Sequence, residues 1–351
     1  MNVCLGIIGY GGMGAWHHKS IVESVPAIHV KGAYDIRPEA LEKAQASGLH
    51  AYPSLDALLT DPDITLVTIA TPNNYHKDLA IAALRAGKHV VCEKPVTLNA
   101  AELTEIIAVS EETGLLFSVH QNRRWDKDYR ILSEVLKAGT LGEAYFIESK
   151  VQGSRRSLHG WRGHKPNGGG MLLDWGIHLL DQLMDLIPSP VVSVNAHLSS
   201  IYTSEVDDNI KLMFRFENGV SAVLEMATNC LIASPRWHVE CTQGTMVIDN
   251  WECDGKMVTL REEGEMTWED DIVYTAAGPT RTMAPRPAYM MKEMPLPEIT
   301  SSWSDYYNNI VDVLAGRAEL IVTPAQALRV MRVVDLLFAS EADGCGKACR
   351  I

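Results

Sequence analysis

Five short apolar runs, each tied to a helix-patterned stretch, fix what the start of the chain can become: VCLGIIG (3 to 9), HVKGAYD (29 to 35), ITLVTIAT (64 to 71), HVVCEKP (89 to 95) and LLFSVHQ (115 to 121). Most lack polar alternation, the pattern of strands covered on both faces in a parallel sheet. Helical patterns at 13–24, 38–47, 75–86 and 99–113 separate them, the last opened by Asn99 with Glu102 three residues on, a capping pattern. Strand and helix in alternation predict a doubly wound α/β domain.

After a predicted helix at 126–138 the pattern changes. AYFIESKVQ, PVVSVNAHLSS, NIKLMFRF, SAVLEMAT, WHVECT and MVIDN follow one another, with Asn218-Gly219 between two of them as a hairpin signal. A mostly antiparallel β-sheet domain flanked by helices is expected there. Helices close the chain at 301–316 and 323–339, the second with Thr323 as cap, Pro324 at its first position and Gln326 to complete a capping box. The segment 276–300, rich in proline and methionine, reads as an irregular excursion over the surface or a neighbouring subunit. At 351 residues the chain exceeds one ordinary core. Two domains are expected, 1–122 and 123–351, with the 323–339 helix packing back toward the first.

Composition narrows the partners. A formal net charge of −13 opposes sequence-independent binding to nucleic acid or anionic membrane, which needs a basic surface. Small molecules are the expected ligands. No basic and apolar leader precedes the first strand at Val3, and nowhere do about 18 apolar residues run together, so a cytoplasmic protein is expected. The seven cysteines are scattered and odd in number, unlike a disulfide framework. Cys345 and Cys349 have no Cys or His pair at ligand spacing and read as inert tail thiols.

GIIGYGGMGAWH places Gly9, Gly11 and Gly14 in the G-x-G-x-x-G pattern, with Gly12 and Met13 between them, at the end of the first strand and the start of a helix. Gly9 permits the tight turn, Gly11 lets backbone approach a pyrophosphate, and Gly14 permits close helix packing. The helix N-terminus favours the negative charge. Asp35 ends the second strand 21 residues after Gly14 and is placed to accept from both adenosine ribose hydroxyls while repelling a 2′-phosphate. That points to NAD over NADP. Arg37, two residues on, is able to pair with such a phosphate or to stack on the adenine.

GGGMLLDWGIHLLD (168 to 181) reads as the start of a buried helix, yet it carries Asp174 and His178. At about 3.6 residues per turn the two emerge on one face. They are either the polar face of an ordinary helix or part of a site. VVCEKPVTL ends the fifth strand with Glu93, Lys94 and Pro95, where ligands of open α/β sheets sit.

The glycine loop, ATPNNYH (70 to 76), E-K-P, HQNRRWDKDY (120 to 129), GWR (160 to 162) and D-x-x-x-H, in this order, resemble the Gfo/Idh/MocA family of nicotinamide-dependent oxidoreductases. The resemblance spans nearly the whole chain and implies an N-terminal Rossmann domain followed by a large, mostly antiparallel sheet whose open face forms the contact of a homo-oligomer. It implies that Lys94, Asp174 and His178 form the catalytic set. His178 takes the hydroxyl proton of an alcohol as its carbinol hydride leaves for the nicotinamide. Lys94 hydrogen-bonds the same oxygen, and Asp174 orients histidine and substrate.

Thr71, Asn73 and His76 follow the fourth strand, where the nicotinamide half of the cofactor would pass, and His76 also suits a helix cap. Glu93 is expected near the nicotinamide ribose; Arg124, Trp161 and Arg162 are expected over cofactor or substrate, although a tryptophan also suits a core. The polar loop 152–167 supplies Arg156 and His159 as substrate candidates. No metal is expected, because His159, His164 and His178 fit no zinc spacing. The substrate implied is a sugar, glycoside or inositol whose ring hydroxyl or ketone exchanges hydride with NAD. A glycoside-cleaving enzyme that borrows the hydride and a non-enzymatic NAD-dependent regulator are the competing readings.

Overall fold

A computed structural model describes residues 3–261, 271–282 and 288–351. In the first part run β1 (Val3–Ile8), α1 (Gly12–Ser24), β2 (Ile28–Tyr34), α2 (Pro38–Ala46), β3 (His50–Ala51), α3 (Leu55–Leu59), β4 (Leu66–Ile69), α4 (His76–Arg85), β5 (His89–Cys92), α5 (Ala100–Thr113) and β6 (Phe117–Val119). The strands form a parallel six-stranded sheet in the order β3-β2-β1-β4-β5-β6, the doubly wound arrangement. Leu5, Ile7, Leu66, Val67, Val90 and Val91 are fully buried, so both faces are covered, as unalternating apolar runs require. The short β3 and α3 escape periodicity because neither is long enough to show one.

The second part runs through α6 (Lys127–Ala138), β7 (Ala144–Gln152), α7 (Ile177–Leu186), β8 (Val191–Ser199), β9 (Asn209–Phe216), β10 (Ser221–Ala227), β11 (Trp237–Cys241), β12 (Gly244–Ile248), β13 (Gly255–Leu260), β14 (Asp271–Thr275), β15 (Gly278–Thr282) and β16 (Met291–Met294). It ends in α8 (Ser304–Leu314), α9 (Pro324–Asp343) and β17 (Lys347–Ala348). Nine strands form one sheet in the order β16-β13-β12-β11-β7-β10-β9-β8-β17. Its pairings are antiparallel except β7 with β10, which lie parallel at its centre. The Asn218-Gly219 turn joins β9 to β10, with Gly219 in the left-handed region at φ +89°.

The segment 276–300 is more regular than its composition suggests. It contributes β15 to a hairpin with β14 and β16 to the edge of the large sheet, while 283–287 lie outside the described residues. Helix α9 begins with the reciprocal cap: Thr323 Oγ1 accepts from the Gln326 amide and Gln326 Oε1 accepts from the Thr323 amide. It packs across the first part, where Asp335 accepts from the Ala100 amide at the start of α5. The seven cysteines are free thiols. Among the described residues no helix is long and apolar enough to cross a membrane.

Candidate active site

The glycine loop forms the turn from β1 into α1. A Cβ on Gly14 would lie 2.0 Å from the Gly9 carbonyl oxygen, so only glycine lets the helix start pack on the loop. Gly11 and Gly12 have no backbone close above them and leave the helix N-terminus open, the cradle a pyrophosphate needs. Met13 is exposed on the first turn. Asp35 closes the loop, its Oδ2 accepting from the Tyr10 amide at 2.8 Å. Burial alone would raise this carboxyl, but hydrogen bonds from the Arg37 side chain, the Arg37 amide and the Tyr10 amide outweigh it and hold the pKa low. These residues fit a dinucleotide.

The loop after β4 is braced at three points. His76 lies between the carbonyls of Thr71 and Pro95, 2.9 Å from each, and so ties the E-K-P segment to this loop from within. Asn73 donates to the Gly168 carbonyl at 2.9 Å, fastening the loop to the glycine run before α7. Among the described residues the buried Thr71 hydroxyl has no partner, a polar atom that a ligand passing this loop would satisfy. The Lys94-Pro95 peptide is cis.

Lys94 and Asp174 come together, and the charge of Lys94 acts on the buried His178. The Lys94 ammonium donates to Asp174 at Oδ1 (3.2 Å) and at its backbone carbonyl (3.1 Å), while Arg162 Nε lies 3.3 Å from Oδ2. Burial would raise the Asp174 carboxyl, but Lys94 and Arg162 hold it below its ordinary value. The winding differs from the expected α-helix: Leu172–Gly176 form a single π turn before α7 begins. π turns interrupt α-helices most often at functional sites. Asp207 anchors this one, its Oδ2 accepting from the Leu172 amide at 2.7 Å. Gly170, at φ +107°, lies where a Cβ would come within 2.4 Å of Asp207 Oδ1.

His178 is buried, and its Nδ1 has no hydrogen-bond partner among the described residues. Burial first, then the positive charges of Lys94 and Arg123, hold its pKa well below 6.5. The imidazole is therefore neutral at physiological pH and able to accept a proton. Trp175 packs edge-on to it at 5.8 Å, and the Arg123 guanidinium covers the Trp175 ring at 4.0 Å.

Two expected cofactor contacts are turned elsewhere. Glu93 does not face outward from the sheet; it is buried, and its Oε1 accepts from His17 Nε2 at 2.8 Å and His120 Nδ1 at 2.9 Å. Two imidazole donors on one oxygen satisfy a buried, ionised carboxylate, and they hold its pKa well below normal against the effect of burial. Arg124 is also buried. It grips Asp181 through Nε and Nη2, both at 2.7 Å, and reaches Asp185 at 2.9 Å, because α7 carries those acids on the face toward 122–125. Its charge is neutralised inside the protein.

Trp161 lies under the Arg162 guanidinium, 4.5 Å from ring centre to charge. Arg156 and His159 are exposed on the 153–167 loop, and among the described residues neither hydrogen-bonds to Lys94, Asp174 or His178. Arg156 has φ +72° and stands over Tyr202.

His17, His120 and Tyr307 join this region without being assigned a role by any of the sequence motifs. With Glu93 ionised, His17 donates from Nε2, so its Nδ1 accepts from the Tyr307 hydroxyl at 2.9 Å. The ligand atoms of His17, Glu93 and His120 lie within 4.8 Å of one another, with their protons directed at the shared carboxylate. The available signal was a histidine on the buried side of the helix that the glycine loop opens, three residues beyond Gly14.

Comparison with known proteins agrees with this architecture. Residues 3–121 match the model for the oxidoreductase family with an NAD-binding Rossmann fold, and residues 129–247 match the GFO/IDH/MocA C-terminal domain. The crystal structure of an NAD-binding protein from Listeria innocua is 40% identical, with a TM-score of 0.94 over 99% of both chains. The scyllo-inositol 2-dehydrogenase (NADP(+)) IolW of Bacillus subtilis is 25% identical over 97% of this chain and 94% of its own. A 1,5-anhydro-D-fructose reductase of Ensifer adhaerens is 30% identical over 60% of this chain and 66% of its own. With both halves matched, and with the glycine loop, the E-K-P strand end and the Lys94–Asp174 pair in one molecule, this chain belongs to the GFO/IDH/MocA family of oxidoreductases.

Proposed function

We propose that this protein is a dehydrogenase or reductase of a ring hydroxyl or ketone in a sugar, glycoside or inositol, using NAD. The observation that carries the reading is the meeting of Lys94 with Asp174 beside a buried, neutral His178 at the carboxyl end of β5. Gly9, Gly11, Gly12 and Gly14 would cradle the pyrophosphate and Asp35 would meet the adenosine ribose. Thr71 and Asn73 would line the nicotinamide half. The dinucleotide supplies the hydride acceptor for oxidation or the donor for reduction. His178 takes the proton of the reacting hydroxyl, or returns it to the carbonyl oxygen in the reverse direction. Lys94 hydrogen-bonds that same oxygen and stabilises the charge that develops on it. Asp174, clasped by Lys94 and Arg162, keeps the ammonium in place.

The inositol and anhydrofructose activities named for the relatives support the polyol class. The outward residues Lys211, Met213 and Arg215 of β9 lie on the sheet face assigned to self-association in this reading.

The test is absorbance of reduced nicotinamide while the purified protein meets NAD and a panel of inositols, free sugars and glycosides, with products analysed. Signal growth with one polyol class supports the reading. Release of an aglycone with no net reduction would replace it with the hydride-borrowing cleavage, and no reaction in any arm would favour a regulator.

A further inference from the structure

The adenosine end of the proposed cofactor site holds an acceptor that is already full. An ionised carboxylate offers about four lone-pair positions. Asp35 uses all four: Oδ1 accepts from the Arg37 amide at 2.9 Å and Arg37 Nε at 3.1 Å, and Oδ2 accepts from the Tyr10 amide at 2.8 Å and Arg37 Nη2 at 3.1 Å. Two of these donors are backbone and stay with the loop. The other two belong to one side chain that is 51% exposed. A ribose diol can therefore reach Asp35 only after the Arg37 guanidinium leaves it.

That guanidinium is not an idle surface group. Its Nη2 lies 3.6 Å from the position a Cβ on Gly11 would take, so it spans from Asp35 to the glycine loop. It borders a cleft of ≈ 500 Å³ lined by Tyr10, Gly11, Gly12, Lys43 and Ser47, with Glu39 also on the wall. Lys43 brings a second cation to the cleft from α2. An acid that repels a 2′-phosphate is thus masked by a planar, permanently charged group suited to bind one.

We propose that Arg37 is a two-position selector at this site, through which the chain binds the 2′-phosphorylated dinucleotide as well as the unphosphorylated one. With Arg37 on Asp35, the guanidinium neutralises the carboxylate and presents its outer edge to a 2′-phosphate. With Arg37 swung away, Asp35 accepts from the free ribose hydroxyls. The inference rests on the dinucleotide reading of the glycine loop and deepens it, because Asp35 alone would favour NAD only.

The experiment is direct titration of the intact protein with NADH and with NADPH, followed by cofactor fluorescence, for the wild type, Arg37→Gln and Asp35→Ser. Wild-type dissociation constants should agree within about tenfold. Arg37→Gln should weaken NADPH by about ten- to hundredfold, the loss of hydrogen bonds to a charged group, while NADH holds or tightens because Asp35 is released. Asp35→Ser should weaken NADH and spare NADPH. Raising ionic strength should weaken NADPH more for the wild type than for Arg37→Gln. Wild-type NADPH binding more than about a hundredfold weaker than NADH, or equal losses of both cofactors in Arg37→Gln, overturns the selector while leaving the dinucleotide site standing. Binding of neither cofactor overturns the site and the selector together.

Discussion

Lys94 and Asp174 meet twice, the ammonium lying 3.2 Å from the carboxylate and 3.1 Å from the backbone carbonyl of the same residue. The contact joins the end of β5 to the π turn before α7, across 80 residues of sequence. In the proposed mechanism, replacing Lys94 with Ala removes the hydrogen bond to the reacting oxygen, and it leaves Asp174 with Arg162. Turnover should fall by about 10²- to 10⁴-fold while the dissociation constant for NADH changes little. Turnover within about tenfold of the wild type would remove Lys94 from the chemistry.

The pH dependence follows from the buried histidines. Burial and the charges of Lys94 and Arg123 hold His178 well below 6.5, so this proposed base is already deprotonated across the range in which a free histidine titrates. The acid limb of kcat/KM for oxidation should lie below pH 6.5. His17 and His76 are lowered as well, both chiefly by burial. As pH falls below 6.5 the unfolded chain takes up protons at all three positions before the folded one does. Stability should therefore decline with acidification, opposite in sign to a histidine held by an ion pair. Thermal melts from pH 8 downward check it, and a melt rising between pH 7 and pH 5 would contradict it; those settings are about the range over which histidines titrate.

Arg124 should behave as a structural residue. Arg124→Ala leaves the Asp181 carboxylate buried without its bidentate partner, which costs about 3–5 kcal/mol. Urea unfolding should register that loss while NADH affinity in the folded fraction stays unchanged. A variant that folds as well as the wild type but no longer binds NADH would return Arg124 to the cofactor.

Glu93 tests the buried network. Glu93→Gln keeps the shape but can no longer accept two charge-assisted bonds from His17 and His120, at a cost of about 1.5–3 kcal/mol for each bond weakened. Because Glu93 precedes Lys94, kcat should fall more than KM rises. A drop in stability with kinetics untouched would confine the network to folding.

Much of this was legible in the sequence, for physical reasons that differ by element. Strands β1, β4 and β5 announce themselves because a sheet covered on both faces needs uninterrupted apolar residues. The cap of α9 does so because Thr323 and Gln326 satisfy each other locally. The parallel β7–β10 pair was not legible, since pairing partners are set by the path of the chain and not by alternation within a strand. The fates of Glu93 and Arg124 were hidden for a related reason. A charged residue beside a motif reads as a ligand contact until its partners are known, and His17 and Asp181 lie 76 and 57 residues away in sequence.

Tyr306 and Tyr307 of α8 reach under the first sheet, where Tyr306 donates to Ser118 and Tyr307 joins Thr68 to His17. The chain is made from its N-terminus, so β1 to β6 emerge long before these tyrosines. Until then Thr68, Ser118 and the Nδ1 of His17 have no partners from α8, and the histidine pair around Glu93 lacks its outer brace. The dinucleotide-binding half, made before α8, is thus among the last parts to be finished. A nascent chain stalled before Tyr306 would carry every glycine of the loop and still hold its E-K-P strand end incompletely.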